Sequence, residues 1–245
     1  MENSLEQSRT VGVVIPAFNE AEDLLPVLNS VCAVEWVQEI ILVDDGSTDS
    51  TLEIAQDMAK EVSRLTVIQL AENQGKAAAM LAGVKALRTD LVIFLDADLK
   101  GVKSHHLQQL TSLQRSGSHE MTLAVFQIGR AWKNFSQRCI PHLSGQRCLW
   151  REEAEQALTP LAGDRYGVEA GLTLHARNHH WKIRKTVWRG VTHHMVWQKR
   201  RVIDGLQNRW QMYSQIMTVI ARNRYVRGSM IRRVRSAKKI RLNFW

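Results

Sequence analysis

The sequence predicts an α/β protein with a mostly parallel central sheet and helices on both faces. From residue 11 to residue 95, short apolar runs alternate with stretches of helical period, and three of the apolar runs end in polar turns, PAFNE, DDGSTD and DAD. Strands separated by helices of this length form right-handed βαβ units. Ligands bind such sheets at the carboxyl ends of the strands. A chance scatter of Asp and Asn would not select that one rim.

Val11 to Ile15 reads as the first strand, and Glu20 to Val31 as a helix with Leu24, Leu28 and Val31 at helical spacing. Glu39 to Val43 is the next strand, and Leu52, Ala55, Ala59 and Val62 mark a second helix. Leu65 to Leu70 is a strand, Lys76 to Leu87 an Ala-rich helix and Leu91 to Leu95 a strand. After residue 120 the pattern loosens. Met121 to Gln127 and Trp181 to Trp188 read as strands, Val168 to Ala176 as a helix, and Ala131 to Trp150 as loop with a short helix. Leu206, Trp210, Tyr213, Met217 and Ile220 make an apolar stripe at helical spacing, opposite an uncharged face.

The formal net charge of +9 has a local origin. Residues 205–245 hold ten Lys and Arg and no Asp or Glu, leaving 23 Lys and Arg against 24 Asp and Glu elsewhere. A nearly neutral body with a cationic end points to an anionic partner met locally, either phospholipid head groups or a polyanion. Met230, Ile231, Val234, Ile240, Leu242, Phe244 and Trp245 interleave with those cations, as in an interfacial anchor. Cys32, Cys139 and Cys148 form no CxxC pair, which fits a reducing compartment, and each reads as a small hydrophobe. The opening MENSLEQSRT lacks a basic-then-apolar leader, and no run of about 18 apolar residues occurs. A cytoplasmic protein, or one lying peripherally on the cytosolic face of a membrane, is the expectation.

The stretch VIFLDADL, Val92 to Leu99, is the most informative. In extended backbone, residues i and i+2 face the same way, so Asp96 and Asp98 are placed to share one hard cation, Mg²⁺ or Mn²⁺, whose shell is completed by water and phosphate. The turn after the first strand is PAFNE rather than GxGxxG, and no GxxxxGK[ST] loop occurs, so the usual dinucleotide and P-loop sites are disfavoured. Asp44 or Asp45 can accept from a nucleobase or ribose. Asp49 and Ser50 read as helix caps. Lys76 opens a helix directly after Asn73-Gln74-Gly75, an unfavourable end for a cation unless an anion is bound there.

Taken together, VVIPAFNEAEDL, EIILVDDGSTDST, NQGKAAAM and LVIFLDADL resemble glycosyltransferase family 2, in the family's order and spacing over residues 11–100. The resemblance implies a GT-A fold, an enzyme taking sugar from a UDP- or GDP-sugar, and a Mg²⁺ or Mn²⁺ cofactor. It assigns Pro16, Ala17, Phe18, Asn19, Glu20, Asp44, Asp45, Gly46 and Ser47 to the donor's nucleoside side, Gly75, Lys76, Asp96 and Ala97 to the rest of the donor, and Asp96 and Asp98 to the metal. SGQR (Ser144 to Arg147), YGVE (Tyr166 to Glu169) and GVTHH (Gly190 to His194) look like the second half of enzymes related to glucosyl-3-phosphoglycerate synthase and to polyprenyl-phosphate sugar transferases. In the former a histidine near the last motif ligates the metal, so His193 and His194 both qualify. Polyprenyl-phosphate transferases commonly carry Gln two residues after the second Asp, often followed by His-Pro, whereas this chain has Lys100-Gly101-Val102. His105-His106 and His179-His180 have no such framework and read as surface residues.

The domain reading follows: residues 1–204 form the GT-A domain, with a donor half over 11–100 and an acceptor half over 101–204, and residues 205–245 form an amphipathic helix and basic tail. Asp98 and Lys76 would face the leaving diphosphate. A hydroxyl acceptor, such as a phosphoglycerate, needs a base, for which Glu169 is the first candidate and Asp164 the second. A lipid-phosphate acceptor is already anionic, and Glu169 would then position the sugar. The bland role for Glu169 is a cap or salt bridge at its helix start. A basic nucleic-acid-binding protein would leave the three acidic strand ends unexplained, and a nucleotidyltransferase would need a Gly-rich first turn. A homodimer is left open.

Overall fold

In the computed structural model, which describes residues 9–115, 120–127, 144–163 and 167–193, strand β1 spans Val11–Ala17. It is followed by α1 (Leu24–Cys32), β2 (Glu39–Asp44), α2 (Thr51–Glu61), β3 (Leu65–Gln69), α3 (Lys76–Ala86) and β4 (Leu91–Phe94). Each lies within a few residues of its expected span. β1 and β4 are buried on both sides, which is why they read as unbroken apolar runs. Val11, Val13 and Ile15 pack with Leu24 and Leu28 of α1 in one core. The intervening Val14 packs with Ala77, Met80 and Val84 of α3 in the other. The alternation is the two-residue period of a strand.

The second half adds a short β5 (Leu99–Lys100), α4 (Ser104–Arg115), β6 (Met121–Gln127), β7 (Arg147–Trp150), α5 (Arg151–Leu158), α6 (Val168–Asn178), β8 (Ile183–Arg189) and β9 (Thr192–His193). The seven-stranded sheet has the order β3-β2-β1-β4-β7-β6-β8. β1, β2, β3 and β4 run parallel, and β6 and β8 pair in parallel. β7 is antiparallel to both of its neighbours, β4 and β6. β5 and β9 form a separate antiparallel pair, Leu99 opposite His193.

Two expectations are corrected here. The loop with a short helix read over Ala131 to Trp150 ends instead in β7, because Arg147, Cys148 and Leu149 are wholly buried between β4 and β6. His106 is not a surface residue: it is 2% exposed and packs, with its ring tilted, against the buried Trp188 at a centroid distance of 5.1 Å. His105, His179 and His180 are exposed, as read. The stripe from Leu206 to Ile220, the basic tail, Asp164 and His194 lie outside the described residues. The chain divides into two units, residues 1–198 and 199–245. Among the described residues, no helix is long and apolar enough to cross a membrane.

Candidate active site

Because β1, β2 and β4 are parallel, their polar turns meet at one rim of the sheet. The first two turns are stitched together by hydrogen bonds. The Asn19 N–H donates to Ser47 Oγ at 3.0 Å, the Thr48 N–H to Asn19 Oδ1 at 2.8 Å, and the Glu20 N–H to Thr51 Oγ1 at 2.8 Å. Asn19 sits at φ 55°, a conformation Asn tolerates better than most side chains. The cap position of α2 is Ser50, whose side chain makes no cap hydrogen bond, and Asp49, one residue earlier, accepts from the Thr51 N–H at 3.0 Å.

Asp44 and Asp45 are both buried. Asp45 joins the third turn: its two carboxylate oxygens accept from the Gln74 and Gly75 N–H groups at 2.8 and 2.9 Å. Asp44 Oδ2 accepts from the Ser47 N–H at 3.2 Å, while its Oδ1 is buried without a hydrogen-bond partner among the described residues. A buried carboxylate oxygen lacking a donor is unusual.

Lys76 begins α3 and reaches across the rim. Its ammonium donates to Asp96 Oδ1 at 2.6 Å and to Glu169 Oε1 at 2.7 Å. The anions that meet the ammonium at this helix start are these two carboxylates. Burial opposes the charged ammonium, but the negative charges of Asp96 and Glu169 and the hydrogen bonds to them outweigh it, and its pKa lies above the ordinary lysine value. Glu169 lies in the first turn of α6, after Gly167 at φ 90°.

Two residues outside the predicted set complete the network. Gln146 Nε2 donates to Asp96 Oδ2 at 2.5 Å, so both oxygens of Asp96 are engaged. Arg147 is wholly buried; Nε and Nη2 donate to the Ser144 carbonyl at 3.2 and 2.5 Å and Nη1 to the Glu169 carbonyl at 3.4 Å. Burial lowers its pKa to about 10 against the pull of Glu169 and Asp96, so it remains cationic at neutral pH. Gly145 lies against the Asp96 carboxylate, where a Cβ would come within 2.5 Å of Oδ2.

Asp98 is half-buried in the turn before β5, and Leu99 pairs with His193. The residue that departs from the polyprenyl pattern, Lys100, pairs with the buried Asp23 at 3.3 Å, tying β5 to the start of α1. Among the described residues, no three His, Cys, Asp or Glu side chains cluster as a metal site.

The sequence profile of glycosyl transferase family 2 matches residues 12–149. The chain belongs to this family. Undecaprenyl-phosphate 4-deoxy-4-formamido-L-arabinose transferase of Yersinia enterocolitica is 31% identical over 180 residues, which are 71% of this chain and 54% of that protein. Dodecaprenyl-phosphate galacturonate synthase of Rhizobium johnstonii is 35% identical over 120 residues, 46% of this chain and 35% of that protein. The chain thus spans about half the length, or less, of the curated relatives it matches. Among solved structures, glucosyl-3-phosphoglycerate synthase from Mycobacterium tuberculosis, crystallised with Mn²⁺, UDP and phosphoglyceric acid, superposes with a TM-score of 0.64 at 21% identity, over 89% of this chain and 80% of that one. The fold of this family 2 chain is accordingly GT-A. The family match ends at Leu149, so it includes Gln146 and Arg147 but not Glu169.

Proposed function

We propose that this chain moves a sugar from a nucleotide-diphosphate sugar, UDP- or GDP-linked, to the phosphate of a membrane lipid such as a polyprenyl phosphate. The observation that carries the reading is the Asp96–Lys76–Glu169 network, next to Asp98 at the rim where the turns of β1, β2 and β4 meet. Among family members, the curated relatives whose names specify a lipid-phosphate acceptor support the choice of acceptor.

The donor's nucleoside is assigned to the stitched turns, Pro16 to Glu20 with Asp44 to Ser47, and its diphosphate to the neighbourhood of Gly75, Lys76, Asp96 and Ala97. The unpartnered Oδ1 of Asp44 is an acceptor suited to a donor group of the base or ribose. Glu169 holds the Lys76 ammonium here, and its engaged oxygen opens to an acceptor's proton only where Lys76 leaves it. A lipid phosphate arrives ionised and needs no such base, and Glu169 would then orient the transferred sugar. A small hydroxyl acceptor such as a phosphoglycerate is the second reading, favoured by the structural likeness; Glu169 would then have to release Lys76 to act as base, with Asp164 as the reserve.

The Mg²⁺ or Mn²⁺ ion is proposed at Asp98, with Asp96, both of whose oxygens meet donors, Lys76 and Gln146, as the neighbouring carboxylate. His193 or His194 is the proposed imidazole ligand. When bound, the ion would offset charge on the leaving diphosphate. Residues 205–245 are proposed to attach the protein to an anionic membrane surface at its cytosolic face.

The test is a thermal-shift screen of UDP-, GDP- and ADP-sugars with Mn²⁺, followed by transfer of labelled sugar to undecaprenyl phosphate and, separately, to 3-phosphoglycerate. Label in the lipid is expected. Label in phosphoglycerate alone would transfer the assignment to the second reading, and a folded protein that stabilises with no nucleotide sugar would refute both.

A further inference from the structure

Arg147 is a full charge sealed in the protein, and its hydrogen-bond partners are the carbonyl oxygens of Ser144 and Glu169 and the Met121 sulfur rather than carboxylates. Burying a cation in this way costs several kcal/mol unless negative charge nearby offsets it. The nearby negative charge is that of Glu169 and Asp96, the two carboxylates already claimed by Lys76. Among the described residues, this network holds two cations for two anions, but the cations are held differently. Arg147 is pinned to backbone atoms of two segments. Lys76 is one-third exposed and bonded only to side chains.

We propose that Arg147 is a positioning residue whose fixed buried charge keeps Asp96 and Glu169 compensated, so that the Lys76 ammonium can leave them for the diphosphate of an incoming nucleotide. This rests on the donor assignment made above. Without Arg147, Lys76 is the one counter-charge in the network among the described residues, and its departure strands two carboxylates on a common rim. Their mutual repulsion, felt in a partly buried setting, then holds Lys76 in place and the diphosphate pays for its release. With Arg147 present, Gln146 still donates to Asp96 and the guanidinium charge stays where it was. The nucleoside, held by other turns, feels neither change.

The experiment compares UDP, with GDP and ADP as alternatives for the base, against the matching nucleoside on the full-length chain in Mg²⁺ buffer. Calorimetry reads the diphosphate and NMR titration the nucleoside. R147M is expected to weaken the diphosphate at least about tenfold and leave the nucleoside within about twofold, and R147K, which keeps the charge, to recover most of the loss. Equal losses for both ligands in a folded R147M would reduce Arg147 to a structural role and overturn the proposal while the donor reading stands. A folded wild type that binds no nucleoside diphosphate would overturn both. Wild type supplies a check that needs no folded Arg147 variant: the ¹⁵N signal of the Lys76 ammonium, assigned with K76R, is expected to move with UDP and not with uridine. A signal indifferent to UDP would overturn the exchange.

Discussion

Lys76 Nζ and Glu169 Oε1 lie 2.7 Å apart although 93 residues separate them in the chain. The bond joins the first turn of α3 to the first turn of α6 and thereby fixes the second half of the protein against the donor half. Because the ammonium is shared with Asp96, the three side chains should act as a unit. E169Q, which keeps the shape and removes the charge, is expected to lower sugar transfer about 100-fold, and K76M by a similar factor. The double variant should lose little more than the worse single one, as groups that act together do. Additive losses in steady-state transfer would show that Lys76 and Glu169 work separately.

Gly145 is required by proximity rather than by a positive φ. A methyl group there would press on Asp96 Oδ2 at 2.5 Å, and neither the strand end nor the carboxylate, bonded to Lys76 and Gln146, has room to yield. G145A is therefore expected to destabilise the fold by about 1–3 kcal/mol in urea unfolding and to cut turnover as well. An unchanged midpoint with full activity would mean that Asp96 moves aside freely.

These two relationships differ in how far the sequence announced them. β1, β2 and β4 and the helices between them were legible because strands buried on both faces are unbroken apolar runs and the helices carry apolar stripes or Ala-rich faces. α4 was not legible, since its buried side includes Thr111 and Gln114, and Gln114 is hydrogen-bonded to Thr122 of β6. β7 was hidden for a related reason: it opens on an arginine whose burial is made tolerable by carbonyls and carboxylates brought in from elsewhere. Lys76, Asp96 and Glu169 could each be picked out by motif, but not their meeting. No periodicity encodes a contact across the whole sheet rim, and the SGQR motif that carries Gly145, Gln146 and Arg147 was the one local signal of the network's far wall.

His106 makes the protein sensitive to acid. Burial is the main cause of its low pKa, with the charges of His105 and Lys103 adding to it and a backbone hydrogen bond at Arg189 opposing. Since the folded-state pKa lies below the unfolded value near 6.5, the unfolded chain binds the proton more readily, and the stability contribution is full above that value and lost as pH falls below it. The melting temperature should therefore fall more steeply from pH 8 to pH 5 in wild type than in H106Q, whose amide oxygen can still accept from the Lys103 N–H. Parallel curves for the two proteins would place the acid sensitivity elsewhere.

Asp96 and Asp98 should separate in experiment, although the DxD pattern presents them as a pair. Asp96 has both oxygens committed to Lys76 and Gln146, so D96N should disturb the network while keeping Mn²⁺ affinity within severalfold. D98A should abolish measurable Mn²⁺ binding by electron paramagnetic resonance and lower transfer by about 1000-fold, the scale expected when a stabiliser of leaving-group charge is lost. If D98A transferred sugar at the wild-type rate, or if D96N alone lost the ion, the metal assignment would have to be reversed.

The basic tail offers a test that does not involve the rim. Residues 223–245 contain eight Lys and Arg among Met, Ile, Val, Leu, Phe and Trp, with no acidic residue. Each cation near an anionic surface contributes on the order of 1 kcal/mol, and the apolar side chains add burial in the acyl boundary. Deleting 223–245 should therefore release the protein from vesicles containing phosphatidylglycerol in a flotation assay, and raising the salt concentration should weaken attachment of the intact chain in the same direction. UDP affinity should be unaffected, because the residues assigned to the nucleotide come from the turns after β1 and β2 and the start of α3. Retained flotation after the deletion would mean that another surface holds the membrane, and a fall in UDP affinity would mean that the tail contributes to the nucleotide site.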